Sequence, residues 1–161
     1  MIICSNHISF FDPVAIGLGI KRQICFMAKS EFFTDCGIFV RAFLKACGVF
    51  SVKRGSSDIR SVNYAAKLLA DSKAVGIFPQ GKIVKDGSFE PKAGAALLAV
   101  KNHVPVLPVF VWTDGKIRPF STVTVTFGEV IIPPDDHSLR AARQLTQTIK
   151  ERINTIGEAK N

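Results

Sequence analysis

Short apolar runs alternate along this chain with stretches in which apolar residues recur every three or four positions. Ile2, Ile3 and Cys4 open with the continuous pattern of a buried strand, and residues 23–28 repeat it. The spacing of Phe32, Cys36, Phe39, Val40 and Phe43 predicts a helix over 32–46, and a further strand follows at 48–52. A helix is expected over 58–71 with Val62, Ala65, Ala66, Leu68 and Leu69 inward. Residues 74–78 read as a strand that stops at Pro79, 80–91 as a loop, and 93–101 as a helix of small residues packed closely on a sheet. Strands are expected at 107–112 and 122–127, the second rich in β-branched residues. After Pro133-Pro134 comes an amphipathic helix with Leu139, Ala142, Leu145, Ile149, Ile153 and Ile156 on one stripe, while Arg140, Arg143, Lys150 and Arg152 lie mostly off it. Strands alternating with helices predict an α/β fold: a single layered domain over 1–161, with a mostly parallel or mixed central sheet flanked by helices.

Composition narrows the class. The chain has 161 residues, 47% of them hydrophobic and 21% charged, which suits one folded domain and not disorder. The formal charge of +8 suits an anionic partner: nucleic acid, a membrane surface or a phosphorylated substrate. A nucleic-acid-binding domain would need a basic face with exposed aromatics or a recognised motif; here lysines and arginines are scattered. Eight of the 13 Phe residues fall in the first 50 positions, most expected in the core and some facing an acyl chain or a lipid interface. Cys4, Cys25, Cys36 and Cys47 form no CxxC pair and read as buried free thiols. His7, His103 and His137 have no ligand-like neighbours at recognisable spacing, so no metal is implied. No secretory signal and no apolar run of spanning length is visible.

The candidate chemistry lies in Ser5-Asn6-His7-Ile8-Ser9-Phe10-Phe11-Asp12-Pro13. His7 falls in a strand-to-helix turn, with Asp12 as the expected N-cap and Pro13 as the first helical residue. A carboxylate five positions on can reach back and hold the imidazole in one tautomer, which prepares a general base. The spacing alone is weak evidence, with about 0.15 chance matches expected in a chain of this composition. Ser5 and Ser9 flank His7, but no GxSxG elbow supports a serine nucleophile, and Cys4 is a poorer candidate still. Lys53-Arg54-Gly55-Ser56-Ser57 leads into a helix, where backbone N–H groups favour a phosphate.

Four blocks stand in order: Asn6-His7-(x4)-Asp12; Gly48 to Gly55, ending in Lys53-Arg54-Gly55; Ile77-Phe78-Pro79-Gln80-Gly81-Lys82, followed by Phe89, Lys92, Gly94 and Ala95; and Val104-Pro105-Val106-Leu107-Pro108-Val109. Together they resemble the glycerolipid acyltransferase family, most closely its 1-acyl-sn-glycerol-3-phosphate acyltransferases, from about Ser5 to Val109. The family pattern is NHxxxxD, a strand ending in Arg, FPEGTRS and a VPVxPV-like strand. This chain departs from it at Gln80, where the family has Glu, and at Lys82-Ile83, where it has Thr-Arg.

The resemblance implies transfer of a fatty acyl group from acyl-CoA or acyl carrier protein to the sn-2 hydroxyl of lysophosphatidate, giving phosphatidate for phospholipid biosynthesis. His7 would be the general base and Asp12 its orienting partner. Lys53, Arg54, Gln80, Gly81 and Lys82 would bind the substrate, and amides at the start of the helix after Asp12 or around Gly81 would meet the oxyanion. No cofactor is implied beyond the thioester co-substrate. The altered third block leaves two alternatives open: the same chemistry on another lysolipid or alcohol, and a catalytically weak homologue that binds lipid or carrier protein. Peripheral contact with an anionic membrane, at its cytoplasmic face, is expected. The resemblance also leads us to expect that the family's usual N-terminal segment is missing from this sequence.

Overall fold

A computed structural model describes residues 1–29, 37–38, 48–52, 59–84, 88–114 and 121–159. Six strands form one sheet: β1 (Ile2–Ser5), β2 (Ile24–Lys29), β3 (Phe50–Val52), β4 (Ala74–Ile77), β5 (Val106–Thr113) and β6 (Val123–Phe127). Their order across the sheet is β3-β2-β4-β1-β5-β6. The first five run parallel, and β6 pairs antiparallel with β5. This is the expected mixed α/β sheet.

Among the described residues four helices cover it: α1 (Asp12–Leu18), α2 (Ile59–Ala70), α3 (Gly94–Asn102) and α4 (Leu139–Glu158). Both faces of the sheet are buried, which is why β1 reads as an unbroken apolar run. Ile2, Cys4, Cys25, Val75 and Val106 point into a core shared with α2, α3 and α4. Ile3, Ile24, Phe26, Ala74, Val109 and Val111 point the other way, to Ile16 of α1. Each such aliphatic side chain contributes about 1.5–3 kcal/mol when fully buried.

The inward stripe of α2 differs from expectation. Ser61, Ala65, Leu68 and Leu69 are buried, whereas Val62 is 49% exposed. Positions 61, 65, 68 and 69 share a helical face, and Val62 lies one residue, about 100°, off it. In α4 the stripe holds for Ala142, Leu145, Ile149 and Ile153, with Ala141 added, but Leu139 in the first turn is exposed. Ser138 caps α4, its hydroxyl accepting from the Ala141 N–H at 3.1 Å. The helix expected over 32–46 lies, apart from residues 37–38, outside the described residues, as do Cys36 and Cys47. Cys4 and Cys25 are buried free thiols. Among the described residues no helix is long and apolar enough to cross a membrane.

The topology sets the place of the site. From β1 the chain moves to one side of the sheet, to β2; from β4 it crosses to the other side, to β5. The turns that leave β1 and β4 therefore emerge side by side at the carboxyl ends of neighbouring parallel strands, where such sheets open a crevice.

Candidate active site

Cys4 pairs with Ile77 in the β1–β4 ladder. Three residues further along each strand stand His7 and Gln80, so the register alone brings the first and third sequence blocks together. The pairing continues past the strand ends. Gln80 Oε1 accepts from the His7 backbone N–H at 3.3 Å, and the Val84 N–H donates to the His7 carbonyl at 2.7 Å. On the opposite side Asn6 plays the same part toward β5. Its Nδ2 donates to the Val111 carbonyl at 2.8 Å, and its Oδ1 accepts from the Val111 N–H at 2.7 Å. The backbone of His7 is thus held by the β4 loop, and its neighbour Asn6 is tied to β5.

Its ring is fixed as well. His7 Nδ1 lies 2.7 Å from Asp12 Oδ2, with Asp12 only 1% exposed and His7 18%. The same oxygen accepts from the N–H groups of Ile8, at 2.8 Å, and Ser9, at 2.9 Å. Since Oδ2 only accepts, the proton of this contact belongs to Nδ1, and in the neutral ring Nε2 carries the lone pair. Asp12 Oδ1 is buried with no hydrogen-bond partner among the described residues. The imidazole lies against Phe78, ring centroids 4.0 Å apart and planes 17° from parallel; Phe78 in turn lies 5.6 Å from Phe26. Gly76, the cross-strand neighbour of Phe26, makes room for this column, because a Cβ there would stand 2.3 Å from the Phe26 ring.

One local expectation is corrected. Asp12 is not the N-cap of α1: it is the first helical residue, and Phe11 occupies the cap without a side-chain bond. The cause is direction, since the Asp12 carboxylate turns back to residues 7, 8 and 9 instead of forward to the helix amides. Several of the anticipated oxyanion amides already donate within the protein. Those of Asp12, Val14 and Ala15 donate within the turn, Pro13 has none, and the Gly81 N–H donates to the Phe78 carbonyl at 2.9 Å.

That last bond closes a β-turn with Pro79 in its second position, and Gly81 has φ +72°, a conformation that suits glycine. Gln80 is buried, Gly81 half-buried and Lys82 exposed. Lys53 and Arg54 lie outside the described residues. Cys4, wholly buried, has its thiol pushed up to about 12 by desolvation, a poor state for a nucleophile. Apolar side chains are exposed in the His7 turn and along α1, at Phe10, Phe11, Val14 and Leu18, and at Ile83 on the β4 loop.

His103 and His137, at no recognisable ligand spacing in the sequence, meet in the fold. Their Nε2 atoms stand 2.8 Å apart, 34 positions apart in the chain. Among the described residues no group of three His, Cys, Asp or Glu side chains is arranged to hold a metal ion. Reading by spacing also missed Asn6 and Phe78 as supports of His7. A polar residue directly after a buried strand, and an aromatic at the matching end of its neighbour, were the available signals.

The chain matches the family described as Acyltransferase over residues 1–112. It is 33% identical over 122 residues to a chloroplastic 1-acyl-sn-glycerol-3-phosphate acyltransferase of Brassica napus, covering 71% of this chain and 33% of that protein. It is 26% identical over 160 residues to a 1-acyl-sn-glycerol-3-phosphate acyltransferase of Borreliella burgdorferi, covering 97% of this chain and 62% of that one. The chain thus spans between a third and two thirds of the length of these relatives. The crystal structure of a 1-acyl-sn-glycerophosphate acyltransferase from Thermotoga maritima superposes with a TM-score of 0.71 at 22% identity, over 98% of this chain and 66% of that one. With its sheet, its His-Asp turn and a family match over more than two thirds of its length, this chain belongs to the Acyltransferase family.

Proposed function

We propose that the chain transfers a fatty acyl group from a thioester, acyl-CoA or acyl carrier protein, to the sn-2 hydroxyl of 1-acyl-glycerol-3-phosphate, giving phosphatidate. The single observation that carries this reading is the 2.7 Å contact between His7 Nδ1 and a buried Asp12 carboxylate, which leaves Nε2 as the base. The relatives' printed activity supplies the substrate class.

An acyl thioester is already activated, so no acyl-enzyme is needed. Nε2 takes the proton of the hydroxyl as its oxygen attacks the thioester carbonyl. Asp12 stabilises the imidazolium that forms, in the role a carboxylate plays behind a catalytic histidine. The new C–O bond forms, the C–S bond breaks, and the imidazolium returns its proton to the leaving thiolate. Lys53 and Arg54 are assigned to the phosphate of the acceptor, with Gly81 and Lys82 near it. The exposed Phe10, Phe11, Val14, Leu18 and Ile83 supply an apolar surface next to His7 for acyl chains and lipid. The charge of +8 suits peripheral binding at the anionic cytoplasmic face of a membrane. Co-sedimentation with anionic vesicles that weakens with salt is the expected result; binding to neutral vesicles only, insensitive to salt, contradicts it.

The test is acyl transfer from acyl-CoA and from acyl carrier protein to lysophosphatidate and to a panel of other lysolipids and alcohols, with His7→Ala alongside. Transfer to lysophosphatidate that disappears in the variant supports the assignment. Transfer only to another acceptor moves the substrate, and transfer that survives His7→Ala removes the mechanism.

A further inference from the structure

We propose that Gln80 is a positioning residue that holds His7 through its amide, and that a carboxylate at this place would disable the site. The activity arm of the argument rests on the function proposed above; the stability arm does not.

Gln80 is 7% exposed, and both ends of its amide meet backbone of opposite character. Oε1 accepts from the His7 N–H, while Nε2 donates to the Ser88 carbonyl at 2.8 Å. A donor on one side and an acceptor on the other fix the orientation of the amide. A carboxylate satisfies the first and fails the second. It would set an anionic oxygen against the Ser88 carbonyl oxygen, with no donor between them and little water. A protonated carboxyl group does satisfy both, because its O–H replaces the N–H.

The bridge has consequences for the base. It ties the β1 turn to the segment that follows Ser88, and that segment is held to the β4 turn by the Lys92 N–H, which donates to the Pro79 carbonyl at 3.0 Å. Pushing the Ser88 side away pulls on the residue that carries the imidazole. Gln80 thus acts through His7 and not on the acceptor lipid. The departure from the family's Glu reads as a matched change: here the surrounding backbone is arranged for an amide.

Gln80→Glu tests this. Among the described residues, the ionisable side chains on the segments around position 80 are His7 and Asp12 from the β1 turn, Lys82 on its own loop, and Glu90 and Lys92 beyond Ser88; Glu90 pairs with Lys150. Burial against a carbonyl raises the pKa of the introduced carboxyl group above its unfolded value. The sign follows: the variant's thermal stability deficit against the native chain is small at about pH 5 and grows toward about pH 8. The activity of the variant relative to native likewise falls as pH rises, with kcat down on the order of 10- to 100-fold at neutral pH and the acceptor KM little changed.

A variant as stable and as active as native at both pH values, or more active, overturns the proposal. So does a change confined to the acceptor KM, which would make Gln80 a substrate contact. If native transfer itself is absent, the function proposal fails and the pH-dependent stability deficit still decides this one. If Gln80→Glu does not fold at either pH, Gln80→Met decides: it loses both bonds without adding charge. A kcat loss at unchanged KM supports the proposal, and native kcat contradicts it.

Discussion

Two histidine contacts lie at opposite ends of neighbouring strands in the same sheet with nearly the same distance. His7 follows the carboxyl end of β1 and meets Asp12 at 2.7 Å. His103 precedes β5, beside the amino end of β1, and meets His137 at 2.8 Å. Everything around them differs. The partner of His7 is buried and itself held by two backbone N–H groups, the ring is stacked on Phe78, and both backbone groups of His7 are engaged by the β4 loop. His103 is exposed at the left-handed C-cap of α3 with φ 48°, and its partner lies in the turn before α4. Its other nitrogen stands 3.8 Å from the exposed Asp135. A short contact between polar rings does not make a catalytic group. A fixed tautomer does, and that takes a surrounding shell that cannot relax.

The sharpest way to break this comparison is to remove each histidine in turn. His7→Ala is expected to lower acyl transfer on the order of 10²- to 10⁴-fold, the usual worth of a general base. His137→Ala is expected to leave it unchanged, and equal losses in the two variants would dissolve the distinction. Asp12→Asn comes next. It keeps an acceptor for one or two of the three donors but favours the wrong tautomer, so activity should fall at least about 10²-fold. Asp12→Ala adds a structural cost, since the Ile8 and Ser9 N–H groups lose their partner at about 1–3 kcal/mol each, measurable by denaturant unfolding.

Gly76→Ala sharpens the account of the ring column. A Cβ at 2.3 Å from Phe26 must displace that ring, at a cost of about 1–3 kcal/mol, and disturb Phe78 and His7 above it. Activity should fall further than the stability loss explains; a change in stability without one in turnover would show that the column only packs. The smallest effect belongs to the other pair: His137→Ala should change stability by no more than about 0.5 kcal/mol, as exposed substitutions usually do.

How much of this was legible in sequence followed from how local each feature is. The strands were readable because both faces of the sheet are buried, so β1, β2, β4 and β5 appear as unbroken apolar runs. His7 and Asp12 were readable because five residues and a strand-to-helix turn bring them together. The direction of the Asp12 carboxylate was not, since spacing alone does not separate a cap from a backward clamp. Val62 was misplaced because a stripe of Ala and Ser is weakly apolar and a valine one position off outweighs it. The contact of His103 with His137, and the bridge from His7 through Gln80 to Ser88, depend on how α3, α4 and the β4 loop dock. No local pattern encodes that. Lys53 and Arg54, read as phosphate ligands, lie outside the described residues.

The central claim is that Asp12 fixes His7 as the Nδ1–H tautomer with Nε2 free to act as base. The chain has three histidines, so long-range ¹⁵N–¹H correlation spectra of the native protein, above the pH at which the rings are charged, give three separable patterns. The account predicts a single Nδ1–H tautomer for His7, lost in Asp12→Asn, beside averaged tautomers for at least one member of the exposed pair. An Nε2–H tautomer or an averaged pattern at His7 would contradict it.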